Sequence, residues 1–273
     1  MINELTETTE GLFTIPDAEY HSGRGISNSA LNNLSKSPAH YKHALENPTE
    51  ATPAMKFGSL VHTVILEPKL VDEQYAVAPN VDKRTKAGKA TYAEFTEKAE
   101  GKTVVSQDDM DNALAMAESI AAHPLANQLI TQKGVNERAI YSVDKDTGLL
   151  KRGKLDRLCE DTNSIIDLKT TTDGSPAGFT KSIFNYGYHR QASYYLDMAR
   201  EQSFNVDRFL FVVVEKTPPF AVSVFEVDGY SLALGRKQYQ ENLKTLAKCL
   251  EEDHFPSYSD EIIMTETPNW ASV

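Results

Sequence analysis

Cysteine is scarce in this sequence: of 273 residues only Cys159 and Cys249 are cysteines. Two are too few for a disulfide framework, and they lack the spacing of a zinc site, so a reducing compartment is expected, the cytoplasm by default. No apolar run approaches the roughly 20 residues that cross a bilayer. The opening "MINELTETTEGLF" is acidic, unlike a secretory leader. Internal repeats and long low-complexity tracts are missing too. Positive charge is also short, with 28 Lys and Arg against 39 Asp and Glu and a formal net charge of -11. That balance disfavours indiscriminate binding to nucleic acid, whose phosphates want Lys and Arg. It leaves room for a local basic patch, or for an acidic pocket that holds cations. What remains is 40% hydrophobic and 25% charged, enough for the core of one substantial domain.

Residues 1–25 read as an irregular arm and 26–273 as one domain. "ISNSALNNLSKSPAHYKHALEN" predicts two short helices broken at Ser37-Pro38, because the residue before proline resists the helical region. "AMKFGSLVHTVILEP" has helical apolar spacing and stops at Pro68. "APNVDKRTKAGKATYAEF" begins as loop, carries Lys83, Arg84, Lys86 and Lys89, and turns helical near Ala87. Ser106 and Asp109 form a capping signal for a helix running to His123. From Arg138 the pattern changes to strands. "RAIYSV", "LLKRGKLDRL" and "SIIDLKT" form a meander with turns at Asp146-Thr147-Gly148 and near Asp161-Thr162. "FNYGYHRQASYYLDMAREQ" predicts one helix, "RFLFVVVEK" and "FAVSVFEV" two further strands, and Gly229 to Glu252 a long helix capped by Asp228. The fold class is α+β, a mixed α/β layout around one central sheet.

Within the meander, "GKLDRLCEDTNSIIDLKTT" sets an aspartate inside each of two apolar strands. Burying a carboxylate is costly unless it is paired or binds metal. Alternation puts Asp167 and Lys169 on one face. Pairing about Asp161-Thr162 sets Asp156 opposite Asp167, with Cβ atoms about 4.5–5.5 Å apart. Carboxylates that close repel unless a cation sits between them, and Mg²⁺ takes such oxygen ligands together with water and phosphate. The lysine would then orient the attacking water and offset developing charge. A salt-bridged hairpin explains Asp167 and Lys169 equally well; the second aspartate is what brings the catalytic reading level with it. Gln191 and Tyr195, four apart in "YHRQASYYLD", share a helix face and could serve the same site. His62, on its apolar helix, is a candidate third ligand for Mg²⁺ or Mn²⁺, ahead of Glu67 at the helix end.

A histidine on an early helix followed by "GKLD", "IIDLKT" and "QASYY" resembles the RecB-type branch of the PD-(D/E)xK nuclease superfamily. "GISNSALNNLSKSPAHYKHALEN", "FGSLVHTVILEP", "APNVDKRTKAGK" and "YGYHRQASYYLD" are similar to the C-terminal nuclease domain of the RecE (exonuclease VIII) family, from about Tyr20 to Trp270. The resemblance implies a restriction-endonuclease-like central mixed sheet flanked by helices, with 26–273 as the exonuclease domain. It also implies 5′-to-3′ digestion of linear double-stranded DNA in phage or prophage recombination, releasing mononucleotides and leaving 3′ tails. Carried over, it makes His62, Asp156 and Asp167 the ligands of Mg²⁺ (or Mn²⁺) and Lys169 the catalytic lysine, supported by Gln191 and Tyr195. A RecT-like single-strand annealing protein and a ring-shaped homo-oligomer, a tetramer foremost, are the implied partners. The proline that usually precedes the first aspartate of the superfamily is absent, since the chain reads Lys154-Leu155-Asp156. Lys83, Arg84, Lys86, Lys89 and Arg190, with Lys181, are candidate contacts to the DNA backbone. Two other readings stand beside this one: an endonuclease or single-strand nuclease built on the same site, and a non-catalytic DNA-binding module.

Overall fold

The computed structural model describes residues 10–268 and residue 271. The chain enters with β1 (Gly11–Phe13) and α1 (Asp17–Ser22), followed by α2 (Asn28–Leu34), α3 (Pro38–Glu46) and α4 (Pro53–Leu66). The predicted break falls where proline demands it. Ser37 caps α3 by accepting the His40 amide, and Pro38 occupies the first turn, where a missing N–H costs nothing. Thr52 and Pro53 start α4 in the same way. Next come α5 (Val71–Gln74), β2 (Tyr75–Val77), α6 (Lys86–Lys98) and β3 (Thr103–Val105), with β2 and β3 paired in parallel as a small separate sheet. α7 (Gln107–Ala122) has the expected cap, the Asp109 amide donating to Ser106 Oγ at 3.0 Å, and α8 (Pro124–Thr131) follows.

β4 (Val135–Val143), β5 (Leu150–Cys159) and β6 (Ser164–Thr171) form the predicted antiparallel meander. α9 (Pro176–Asn185) and α10 (Tyr188–Glu201) then cross over, so that β7 (Arg208–Glu215) lies parallel to β6. β8 (Val222–Glu226) pairs antiparallel with β7, and α11 (Gly229–Glu251) closes the domain behind its Asp228 cap. The main sheet has six strands in the order β1-β4-β5-β6-β7-β8, a mixed sheet of the expected class.

Two expectations need correction. Residues 10–25 are not irregular: β1 pairs with β4 from Gly11 opposite Tyr141 to Phe13 opposite Ala139, and α1 packs alongside through Tyr20. Ile15, Tyr20, Ala139 and Tyr141 bury one another there, which gives this edge its own small core. Residues 1–9 of the arm lie outside the described residues. The helix read through Phe184 is two helices, because Gly187 takes φ +68° between them, a left-handed conformation that glycine adopts without penalty.

Both faces of the sheet are covered, and β7 shows how. Phe209, Phe211 and Val213 face a core built with α10 and α11, while Leu210, Val212 and Val214 face a second core built with α4 and α7. This two-sided burial explains the unbroken apolar run of that strand. Among the described residues, no helix is long and apolar enough to cross a membrane.

Candidate metal-dependent active site

The site sits where the sheet splits. β5 and β6 pair only from Cys159–Ser164 to Arg157–Ile166. One rung further on, Asp156 and Asp167 would be opposite, but the ladder stops there. Leu168 N–H donates instead to Asp156 Oδ2 at 2.7 Å. β5 continues along β4 and β6 along β7, leaving a fork whose crotch is lined by carboxylates.

A third carboxylate stands at the same level. Asn136 pairs with Arg157 and Arg138 with Leu155, so Glu137 of β4 faces Asp156 from the other side. Glu137 has φ 49°, a left-handed conformation in a residue with a full side chain. It costs on the order of 1–2 kcal/mol, and strain of this kind gathers at functional sites. His62 of α4 reaches in with Nδ1 at 3.5 Å from Asp156 Oδ2 and 3.8 Å from Glu137 Oε1. Ligand atoms of His62, Glu137 and Asp156 all lie within 4.8 Å of one another.

Asp167 belongs to the same crotch but is engaged otherwise. It is buried; Oδ2 accepts from Gln191 Nε2 at 2.7 Å, and Oδ1 is in contact with Lys169 Nζ. The Lys169 ammonium also lies over the Tyr188 ring, 4.8 Å from its centroid. α4 and α10 thus serve the fork from the two faces of the sheet.

The electrostatics follow from crowding acids in a half-buried place. Burial raises the pKa of Asp156, and Asp167 and Glu137 add to this against the pull of His62, so it is pushed up to about 7. Burial works to lower that of His62, but Asp156 and Glu137 outweigh it and lift it to about 9. Lys169 behaves similarly: burial lowers its pKa, the carboxylates of Asp167 and Asp156 more than restore it, and the side chain stays an ammonium. For Glu137, burial is outweighed by His62 and Lys154, and its pKa falls. Lys154 donates to Glu137 Oε2 at 2.7 Å and also bridges to Asp17.

These residues fit a hard divalent cation. Among the described residues Glu137 Oε1 is buried with no hydrogen-bond partner, a cost that a cation would remove. A proton held on Asp156 near neutrality is the usual sign of carboxylates sharing a site without enough positive charge between them. Two carboxylates and one imidazole form a donor set suited to Mg²⁺ or Mn²⁺.

Of the residues singled out in the sequence, the fork assembles His62, Asp156, Asp167, Lys169 and Gln191. Tyr195 is placed beneath it, 8% exposed and packed against Gly153, whose position leaves no room for a side chain: a Cβ there would meet Tyr195 Cε1 at 2.7 Å. Glu67 lies at the rim, its pKa raised by burial and by Glu137. Arg190 must be corrected. It is 4% exposed and points inward, donating to Asn28 Oδ1 at 3.0 Å, to Ser35 Oγ at 2.8 Å and to Asn32, so it ties α10 to α2 and has no face for DNA. Lys83, Arg84, Lys86 and Lys89 are exposed, with Arg84 paired to Asp82 at 3.0 Å and the Lys83 ammonium 3.3 Å from the centre of the Tyr92 ring. Glu137 and Tyr188 were missed. The signal for Glu137 was present, since pairing about the Asp146-Thr147 turn sets it opposite Asp156; starting the strand at Arg138 hid it.

A family model described as a PDDEXK-like domain of unknown function, DUF3799, matches residues 27–268. No curated protein matches the chain. Among solved structures, a candidate exonuclease from Eubacterium rectale superposes with a TM-score of 0.61 at 12% identity, covering 94% of this chain and 97% of that one. A phage related exonuclease from Haemophilus somnus 129PT aligns at a TM-score of 0.35 and 13% identity, over 71% of this chain and 94% of that one.

Proposed function

Since the chain belongs to the PDDEXK-like family DUF3799, we propose that it is a divalent-metal-dependent nuclease that hydrolyses DNA phosphodiesters. Our finer reading is an exonuclease that degrades linear duplex DNA 5′ to 3′ in recombination, with Mg²⁺ as the working ion and Mn²⁺ able to replace it. The observation that carries the reading is the row Glu137–Asp156–Asp167 across three neighbouring strands, with Lys169 seated on its last member.

His62, Glu137 and Asp156 would hold the cation, with Asp167 beside them. A cation there supplies Lewis-acid polarisation of a phosphoryl oxygen and a more acidic water. The protein's own groups do the rest. Lys169, kept protonated by Asp167 and Asp156, is a donor and a fixed positive charge rather than a proton acceptor, suited to orient water or steady a phosphoryl oxygen. Gln191 holds Asp167 in place by its amide, and Tyr188 floors the ammonium. Rigid strand and helix positions keep the arrangement within the small tolerances such chemistry needs.

The description of the Eubacterium rectale relative as an exonuclease supports end-directed digestion. The sequence resemblance supports the 5′-to-3′ polarity, the ring-shaped homo-oligomer and the annealing-protein partner. The test is digestion of linear duplex DNA labelled at one 5′ end, in Mg²⁺ or EDTA, beside closed circular DNA. Early release of labelled mononucleotide from the linear molecule alone, abolished by EDTA, is the expected result. Cutting of the circle would replace the exonuclease with an endonuclease, and inertness toward both would remove the nuclease reading.

A further inference from the structure

A cavity of 220 Å³ opens past the catalytic lysine, lined by Thr170, Thr171, Thr172, Ser182, Tyr186, Tyr188 and Lys216, with Phe179 at its base. Taking about 30 Å³ per water molecule, it has room for a phosphate group and part of a sugar, not for a whole nucleotide. It adjoins the fork through Tyr188, which lines the cavity and whose ring carries the Lys169 ammonium.

Its chemistry is one-sided. Lys216 is the single charged side chain of the lining, and among the described residues it has no ion-pair partner. The Thr172 hydroxyl likewise makes no hydrogen bond among the described residues. Two acids that neighbour the lining in sequence accept main-chain amides: Asp173 that of Ser175 at 3.0 Å, and Glu215 that of Gly174 at 2.8 Å. Tyr186 is 60% exposed at the rim, its ring centre 5.5 Å from that of Tyr188. A lone cation beside a free hydroxyl suits a phosphate, and an exposed aromatic ring suits an unstacked base.

We infer that this cavity is a nucleotide subsite of the substrate strand: Lys216 and the Thr172 hydroxyl take the backbone phosphate next to the scissile one, and the base of that nucleotide stacks on Tyr186. The inference rests on the nuclease reading for its ligand, and two separate measurements keep the two apart.

Binding of a dye-labelled duplex is measured by anisotropy in the Lys169→Ala background with Mg²⁺, across a salt series. Added Lys216→Ala should weaken binding severalfold and make the dependence of log Kd on log salt shallower by about one, as loss of one phosphate contact does. Added Tyr186→Ala should weaken binding on the order of tenfold without changing that slope. Lys216→Arg should restore both affinity and slope. Lys133→Ala removes the same charge beside Asp161, at the opposite end of β6, and should leave the slope unchanged. If Lys216→Ala and Lys133→Ala give the same slope, or Tyr186→Ala binds as its parent does, the subsite is refuted. Cleavage by the otherwise unaltered protein is followed alongside. Robust cleavage together with a refuted subsite leaves the nuclease reading standing, and binding that responds as expected without any cleavage removes the nuclease reading alone.

Discussion

Asp156 Oδ2 accepts the Leu168 amide at 2.7 Å, so a side chain stands where the next main-chain rung between β5 and β6 would be. One carboxylate therefore does two things: it ends the ladder and faces the candidate cation. The two roles separate by mutation. Asp156→Asn keeps an acceptor for the amide, whereas Asp156→Ala leaves a buried N–H unpaired, at about 1–3 kcal/mol. Both should abolish cleavage. In EDTA, thermal unfolding should rank the alanine variant clearly below the asparagine one, and the asparagine variant at or above the parent, because it removes a buried acid. Equal Tm values for the two variants would mean that the Leu168 contact contributes nothing to the fork.

Lys169 and Gln191 both touch Asp167, yet their losses should differ. Lys169→Ala should abolish cleavage while calorimetric Mn²⁺ affinity stays near that of the parent, since the lysine carries no ligand atom. Gln191→Ala frees Asp167 Oδ2. Supporting contacts of this kind usually matter by about 10–100-fold in affinity or activity, and the loss should fall in kcat. Tyr195→Phe, buried against Gly153, should cost less than either. Turnover by Lys169→Ala at the parent's rate would remove the lysine from the chemistry.

How much of this was legible in the sequence depends on whether the cause was local. The Ser37-Pro38 break, the Ser106 and Asp228 caps and the β4–β6 meander rest on neighbouring residues, and the structure has them as read. That Asp156 and Asp167 meet, one position beyond the last rung of the β5–β6 ladder, needed only a turn position. Arg190 was misread because a basic residue on a polar-looking segment gives no sign of Asn28, Asn32 and Ser35, which lie more than 150 positions earlier. β1 and the β2–β3 pair are short strands stabilised by partners distant in sequence, so no periodicity of their own marks them. Glu137 lay one residue outside a strand boundary that was drawn too late.

Metal uptake should be linked to pH in a definite direction. His62 and Asp156 both hold protons more tightly in the fold than they do free, and a cation must displace those protons. Affinity should therefore climb with pH, most steeply up to about 7, where Asp156 still carries its proton, and more gently up to about 9, where His62 loses its own. Stability follows the same signs. A raised histidine pKa contributes stability below the ordinary imidazole range that is lost as pH rises through the folded value. A raised aspartate pKa withdraws stability as pH climbs from the ordinary carboxylate range toward 7. In EDTA the contribution of these two groups to Tm should thus fall between pH 6.5 and 9, and saturating Mn²⁺ should raise Tm more at pH 8.5 than at pH 6.5. Proton release counted by calorimetry in buffers of different ionisation heat checks it; zero protons released would mean that the cation sits elsewhere. Glu137→Gln should lower affinity at every pH, by about tenfold or more.

The last expectation concerns what holds the fork in place. Arg190 is buried among neutral partners, and burial lowers its pKa to about 10. Among the described residues its guanidinium has no counter-charge, and its hydrogen bonds to Asn28, Asn32 and Ser35 are what satisfy it. Hydrogen bonds to a charged group are worth about 1.5–3 kcal/mol each, though not additively. Arg190→Ala should therefore destabilise the domain by roughly 3 kcal/mol or more, loosening α2 from α10, the helix that carries Gln191. Arg190→Met, which keeps the stem and drops the charge, should recover part of that loss. If Arg190 met DNA instead, stability would barely move and the salt dependence of DNA binding would become shallower. Denaturant unfolding of both variants, beside a salt titration of DNA binding by Arg190→Met, separates the two outcomes, and the inward geometry commits to the first.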